Sequence, residues 1–471
     1  MARLNISDEW RDAVHAAHGA ESKYKRLVKA IAQDIERGTL VSGVRLAPQR
    51  DVAAELGISV QTVTNAYKEL ERQGLIRCEV GRGSFVAARV TEAMGNYILD
   101  TAAEREIVDF SIARIIHTPE HDAAWREVCG TLAVTEDQPW IRSFRPIAGF
   151  EHHRQAAAAW LATLNMPVRP DALLVTNGTS QGIFLALAST VGPGDTVLCE
   201  SLTDHGVIGL ANVLGFTLKG LEIDEHGIRP EHFEEMCDSE RVSALVCTPT
   251  FNNPTVAVMP DSRRRAIARI AERYGVYVIE DDVYGALPAK TCTPIASLIP
   301  ELAFYCTSMT KSVLTGLRTG YLAMPRRLAL RAESVLRVSS WMATSSMAEI
   351  ATRWIIDGTA RRLVERQRER LAARQAMVRA SLGEHLQGAH PNALSAWLRV
   401  PDYWQSDRIV RELRKRQIAV TSPDPFLVGG TQRPNCVRIC VGAEASDAAC
   451  REALETIAGV FEQYPHVNDF N

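Results

Sequence analysis

No two cysteines in this chain of 471 residues are spaced Cys-x-x-Cys; of the ten, the closest are Cys436 and Cys440. That excludes a zinc ribbon and offers no disulfide framework, so the thiols read as buried groups in a reducing compartment. No run of some 18 apolar residues is present, which excludes a membrane-spanning helix. The opening residues, Met-Ala-Arg-Leu-Asn-Ile-Ser-Asp-Glu-Trp, lack the apolar core of a signal peptide. A cytoplasmic protein with no membrane partner is expected. Net charge is small, −3, but unevenly spread. Residues 22–89 hold twelve Lys and Arg against seven Asp and Glu, leaving 41 against 49 elsewhere. A basic head on an acidic body is the footprint of a protein whose head alone meets phosphates. With 46% hydrophobic residues the chain can build more than one core.

In the head, Tyr24, Leu27, Val28, Ile31 and Ile35 recur at helical spacing, with Gly38 as a stop and Gly43 in a turn. A second helix is predicted to start with Pro48 at its first position and to end at Gly57. Ser59 then suits the N-cap of a third helix that turns Val63, Tyr67 and Leu70 inward. Gln61, Thr62, Thr64, Asn65 and Lys68 are left on its outer faces. A second helix rich in amides and hydroxyls after a short Gly turn fits a helix-turn-helix, with that helix in the DNA major groove. Leu75–Val80 and Ser84–Val86 read as strands flanking Gly81-Arg82-Gly83, a wing that brings Arg82 to the phosphate backbone or the minor groove.

Residues 22–86 resemble the winged helix of the GntR transcription factors. Leu46-Ala47-Pro48-Gln49-Arg50 matches the usual Leu-Pro-Ser-x-Arg, and Glu71–Ile76 with Val80–Val86 matches the wing. Val60 stands where many members carry an arginine, so base reading falls to other residues. A double-stranded DNA operator is the implied partner. Arg50 and Arg82 are the expected phosphate contacts. The competing reading is a helical head that makes protein contacts only.

Beyond a linker at 89–107, short apolar runs at 172–176, 196–199, 242–247, 276–279 and 303–306 alternate with amphipathic stretches such as 262–274. This is the pattern of a parallel sheet covered by helices, with ligands gathered beyond the strand carboxyl ends. The turns there hold Asn177-Gly178-Thr179-Ser180, Asn253-Pro254, Glu280-Asp281-Asp282-Val283-Tyr284, and Thr307-Ser308-Met309-Thr310-Lys311 with Arg318 seven residues on. Singly each is an ordinary turn. In this order they resemble the fold-type I aminotransferases, which carry pyridoxal phosphate (PLP).

The resemblance implies that Lys311 is the Schiff-base lysine and that Asp281 faces the pyridine nitrogen. Asn253 and Tyr284 would bond the phenolic oxygen, and Gly178, Thr179, Ser180, Ser308 and Arg318 would hold phosphate. Arg438 would take a ligand carboxylate, as a bidentate guanidinium can. Asp281→Ala is expected to weaken PLP binding, and Asp282→Ala to do so much less. Two positions depart from the family: Asp204 replaces the aromatic residue that stacks on the pyridine, leaving His205 as the nearest stacker, and Phe144 replaces a tyrosine.

A GntR head before an aminotransferase-like body resembles the MocR subfamily of bacterial regulators. The implied fold is α/β: a winged helix-turn-helix domain over 20–88, then a fold-type I domain over 108–463. That second domain has a mixed, mainly parallel sheet and a smaller C-terminal α+β part. Membership implies a head-to-tail homodimer, PLP as cofactor, a small amino-compound effector, and regulation in place of enzymatic turnover. A working aminotransferase with a DNA-binding head and a cofactor-free dimeric repressor are the alternatives.

The head yields a direct test. Arg82→Ala should weaken binding to operator and random DNA alike, lowering the salt slope by about one. Gln61→Ala should cost about 1–3 kcal/mol on the operator and little on random DNA. Salt-titrated binding to both duplexes measures this, and equal losses for Gln61→Ala would refute the helix register set by Ser59.

Overall fold

The computed structural model describes residues 8–15, 22–36, 40, 44–72, 75–79, 83–86, 107–442 and 446–464. The expectations for Gly38, Gly43, Gly81, Arg82 and nearly all of the linker lie outside these residues. The chain divides into two compact units, 1–98 and 99–471.

The first unit contains α1 (Asp8–His15), α2 (Lys23–Glu36), α3 (Gln49–Leu56), α4 (Val60–Arg72) and an antiparallel pair, β1 (Ile76–Glu79) with β2 (Gly83–Val86). Its core joins Leu27, Ile31, Val52, Leu56, Val63, Tyr67 and Leu70. Ser59 Oγ accepts from the Thr62 N–H at 3.1 Å, the N-cap bond that its position before α4 implies. Gly57, left-handed at φ 62°, ends α3. Pro48 stands one residue outside α3, not at its first position, because its ψ of 140° is extended while its carbonyl accepts the Asp51 and Val52 amides. Helix α1 has no counterpart in the sequence reading. It is held by fully buried Trp10, whose indole N–H donates to Asp34 at 2.6 Å, and by His15 against the Leu56 carbonyl at 2.7 Å.

The second unit is built on β3 (Leu173–Thr176), β4 (Thr196–Glu200), β5 (Thr217–Leu221), β6 (Val242–Cys247), β7 (Tyr277–Asp281), β8 (Ala303–Ser308) and β9 (Gly320–Ala323). They form one sheet of seven strands ordered β3-β9-β8-β7-β6-β4-β5. Only β9 runs antiparallel to its neighbours. Strands β3, β8 and β9 are buried at every position, which explains their unbroken apolar runs. Helices α5 (Glu151–Ala162), α6 (Thr179–Thr190), α7 (His205–Leu214) and α8 (Asp261–Tyr274) follow, with α9 (Ser345–Ile356) and the long α10 (Thr359–Leu382).

A smaller C-terminal part sets β10 (Leu386–Gly388), β11 (Ser395–Arg399) and β12 (Cys436–Cys440) in an antiparallel sheet against α10 and α11 (Asp447–Glu462). Val108 and Asp109 pair in parallel with Ile418 and Ala419, so the segment entering the second unit joins this smaller part. Phe110, Leu371, Leu398, Ile439 and Phe461 share its core. No helix among the described residues is long and apolar enough to cross a membrane.

Candidate DNA-reading surface and ligand site

In the head, helix α4 presents Gln61, Asn65 and Lys68 to solvent, and Arg50 is exposed in the first turn of α3. Gln61 Nε2 donates to Asn65 Oδ1 at 3.0 Å, so the two amides brace one another one turn apart. Thr64 is committed differently: its hydroxyl donates to Gln49 Oε1 at 2.7 Å, tying α4 to α3. Ser59 and Thr62 share a 2.8 Å hydroxyl contact at the cap. Of the outward set, Ser59, Thr62 and Thr64 therefore help build the helix pair, while Gln61, Asn65 and Lys68 are the side chains extended from it.

In the body, the predicted ligand residues collect at the strand carboxyl ends. Gly178 caps α6 at φ 86°, and a Cβ there would lie 3.1 Å from Arg318 Nη2, so the guanidinium packs over the glycine. Thr179 is buried, and its hydroxyl has no partner among the described residues. Ser180 is exposed, Ser308 is buried, and Arg318 is exposed with a left-handed φ of 49°. Asn177 anchors the loop: its amide donates to Gln181 at 2.7 Å and its Oδ1 accepts from Thr344 at 2.9 Å.

Lys311 lies in the turn after β8, and its ammonium donates to the Ala113 carbonyl. Burial lowers its pKa, with Cys440 and Asp204 opposing the fall and Arg438 and Arg318 adding to it. Asp281 ends β7 and is buried; the Val283 N–H donates to it at 3.2 Å. Burial pushes its carboxyl well up, with Asp204 and Asp282 adding to the rise. Among the described residues no cation forms an ion pair with it. Tyr284 is buried beside these charges, and burial raises its hydroxyl as well.

Asp204, at the family's aromatic position, is the N-cap of α7, where it accepts the Gly206 N–H at 2.8 Å. Its other oxygen accepts from Asn253 Nδ2 at 2.9 Å, and Arg438 Nη1 donates to Asn253 Oδ1 at 2.8 Å. His205 opens α7 with its Nδ1 3.7 Å from Asp204. Arg438, on β12, is buried, donates to the Ser111 carbonyl and stacks its guanidinium 4.8 Å from the Phe426 ring centre.

Asp282, next to Asp281, is held within the fold by the Tyr305 hydroxyl. It is as buried as Asp281 and packs so closely on Gly285 that a Cβ there would fall 1.9 Å from its oxygen. The sequence reading missed the Ser111 and Ala113 carbonyls, which carry no side-chain signal. Asp204 as a cap was legible, since an Asp just before a helix is a common N-cap.

Known proteins match in both parts. Residues 121–457 match the family model for aminotransferase class I and II, and residues 23–86 that for bacterial regulatory proteins of the gntR family. The HTH-type transcriptional regulator YdeF of Bacillus subtilis is 25% identical over 93% of this chain and 94% of its own. The HTH-type pyridoxine biosynthesis transcriptional regulator PdxR of Corynebacterium glutamicum is 23% identical over 91% of this chain and 94% of its own. An archaeal alanine:glyoxylate aminotransferase superposes with a TM-score of 0.69 at 18% identity, covering 85% of this chain and 94% of its own.

The two aspartates should separate in thermal melts. Asp282→Ala strands the buried Tyr305 hydroxyl and should lower stability by about 1–3 kcal/mol. Asp281→Ala removes a buried carboxylate without a cation and should leave stability unchanged or higher. The reverse order would contradict the partners described for the pair.

Proposed function

Given that the chain belongs to the aminotransferase class I and II family and carries a gntR-type head in the MocR arrangement, we propose that this DNA-binding transcriptional regulator holds PLP in its body and responds there to an amino compound. One observation carries the reading: Lys311 and Arg438 both donate to carbonyls of a single segment, Ala113 and Ser111. That segment directly follows the linker from the head.

The residues present fit PLP. Gly178 leaves backbone room beside Arg318, and the unpartnered Thr179 hydroxyl lies at the amino end of α6, where amides and the helix dipole favour a phosphate. Asp281, buried without a counter-cation, suits a protonated pyridine nitrogen. Ser180, Ser308 and Arg318 complete the phosphate set, and Asn253 with Tyr284 would meet the phenolic oxygen. When bound, PLP supplies an aldehyde that condenses with primary amines and a ring that accepts electrons.

The protein's own part is positional. Burial keeps the Lys311 amine more readily deprotonated, hence nucleophilic. A Lys311 amine engaged with the cofactor would no longer donate to the Ala113 carbonyl. An effector carboxylate on Arg438 competes with Ser111 and Asn253 for the guanidinium. Both events loosen residues 111–113. An effector shifts the regulator only as far as it prefers one form over the other.

With Asp204 capping α7 where a ring would stack, sustained transamination is not the proposed role. The relatives support this, being named transcriptional regulators. Exposed Ile141, Phe144, Val338 and Trp341, with the Trp341 indole donating to the Phe144 carbonyl at 2.9 Å, offer an apolar face for a second copy, in keeping with a homodimer.

Borohydride reduction in the presence of PLP should leave the cofactor on the Lys311 peptide. Lys311→Ala should stay folded and carry none. Recovery on another lysine would overturn the site, and steady turnover of an amino donor and a keto acid would make the protein an aminotransferase.

A further inference from the structure

Away from the ligand site, two histidines at the start of α5 turn toward one carboxylate on α9. His152 Nε2 lies 2.8 Å and His153 Nε2 3.1 Å from the same oxygen, Oε2 of Glu349. The three ligand atoms all fall within 4.8 Å of one another. The second oxygen of Glu349 is taken by Arg353 Nε at 2.8 Å, which fixes the carboxylate and leaves Oε2 to face the imidazoles. We propose that His152, His153 and Glu349 form a binding site for a zinc-class divalent ion that fastens α5 to α9.

The donor set is that of a three-ligand zinc site, two imidazoles and a carboxylate with a fourth position for water. Bonds of roughly 2.0–2.2 Å to one ion would have each imidazole nitrogen part from Oε2 by a few tenths of an ångström, while the two nitrogens, within 4.8 Å of one another, close on the ion. His153 and Glu349 are buried, whereas His152 is half exposed and leaves a path for the ion and its water. Arg353, bonded to the other oxygen of Glu349, orients that carboxylate, as hydrogen-bond partners of metal ligands commonly do.

The site bears on the ligand loop through α9. Thr344, the residue before that helix, donates its amide to Asn177, next to Gly178. Ser345, its first residue, donates to the Trp140 carbonyl at 2.7 Å. An ion joining α5 to α9 would stiffen this support, whether or not PLP is bound.

The test is calorimetric titration of the metal-stripped full-length protein with Zn2+, with Co2+ absorption as a second probe of coordination. One ion per chain is expected, with a rise in melting temperature. His152→Ala, at a half-exposed position, and the isosteric Glu349→Gln should each weaken that binding by about tenfold or more and abolish the stabilisation. Circular dichroism of both variants establishes that they are folded. Absence of binding in the unaltered protein would overturn the proposal. So would ions bound equally well by both variants, since the metal would then sit elsewhere.

Discussion

Lys311 and Arg438 come from opposite ends of the body's architecture, a turn after a central strand and a strand of the small C-terminal sheet, yet both bond the backbone of residues 111–113. The rest of the site is arranged around that pairing. Phe110 is fully buried and its amide donates to Ala419, so the segment is fixed on one side by the small sheet and on the other by two cations. Buried carbonyls need partners. Lys311 serves Ala113, and Ser111 accepts from Arg438 and, at 3.1 Å, from the Thr421 hydroxyl.

The acidic character of the site has a matching logic. Asp204, Asp281 and Asp282 lie close enough to raise Asp281 further once burial has lifted it. Glu200 behind them is pushed up to about 7 by burial, even with the Thr248 amide donating to it at 2.7 Å. Raised carboxyls favour folding while protonated and oppose it as pH climbs through their folded values. A bound cation relieves that cost.

Much of this was legible in the sequence because the signals are local. Ser59 as a cap, Gly57 as a stop and Val63, Tyr67 and Leu70 as an inward stripe follow from helix periodicity and from the chemistry of caps. The apolar runs at 242–247 and 303–306 follow from burial on both faces. What escaped depends on contacts distant in sequence. Strand β9 is four residues long and takes its place from antiparallel pairing with β3 and β8, which lie far from it or across a turn in sequence. Helix α1 owes its place to Trp10 meeting Asp34, 24 residues away. The bond from Tyr305 to Asp282 joins residues 23 apart, and nothing local announces it. The carbonyls of Ser111 and Ala113 are backbone groups and leave no mark in composition.

The central claim is that the ligand site and the DNA-reading head are coupled through Lys311. Its most direct test is operator affinity, on a duplex selected from random DNA, measured for the full-length protein with and without PLP and for Lys311→Ala under the same conditions. The account predicts that PLP changes the affinity of the unaltered protein by about fivefold or more and leaves Lys311→Ala unmoved. An affinity indifferent to PLP, or a Lys311→Ala protein that responds as fully as the original, would contradict it.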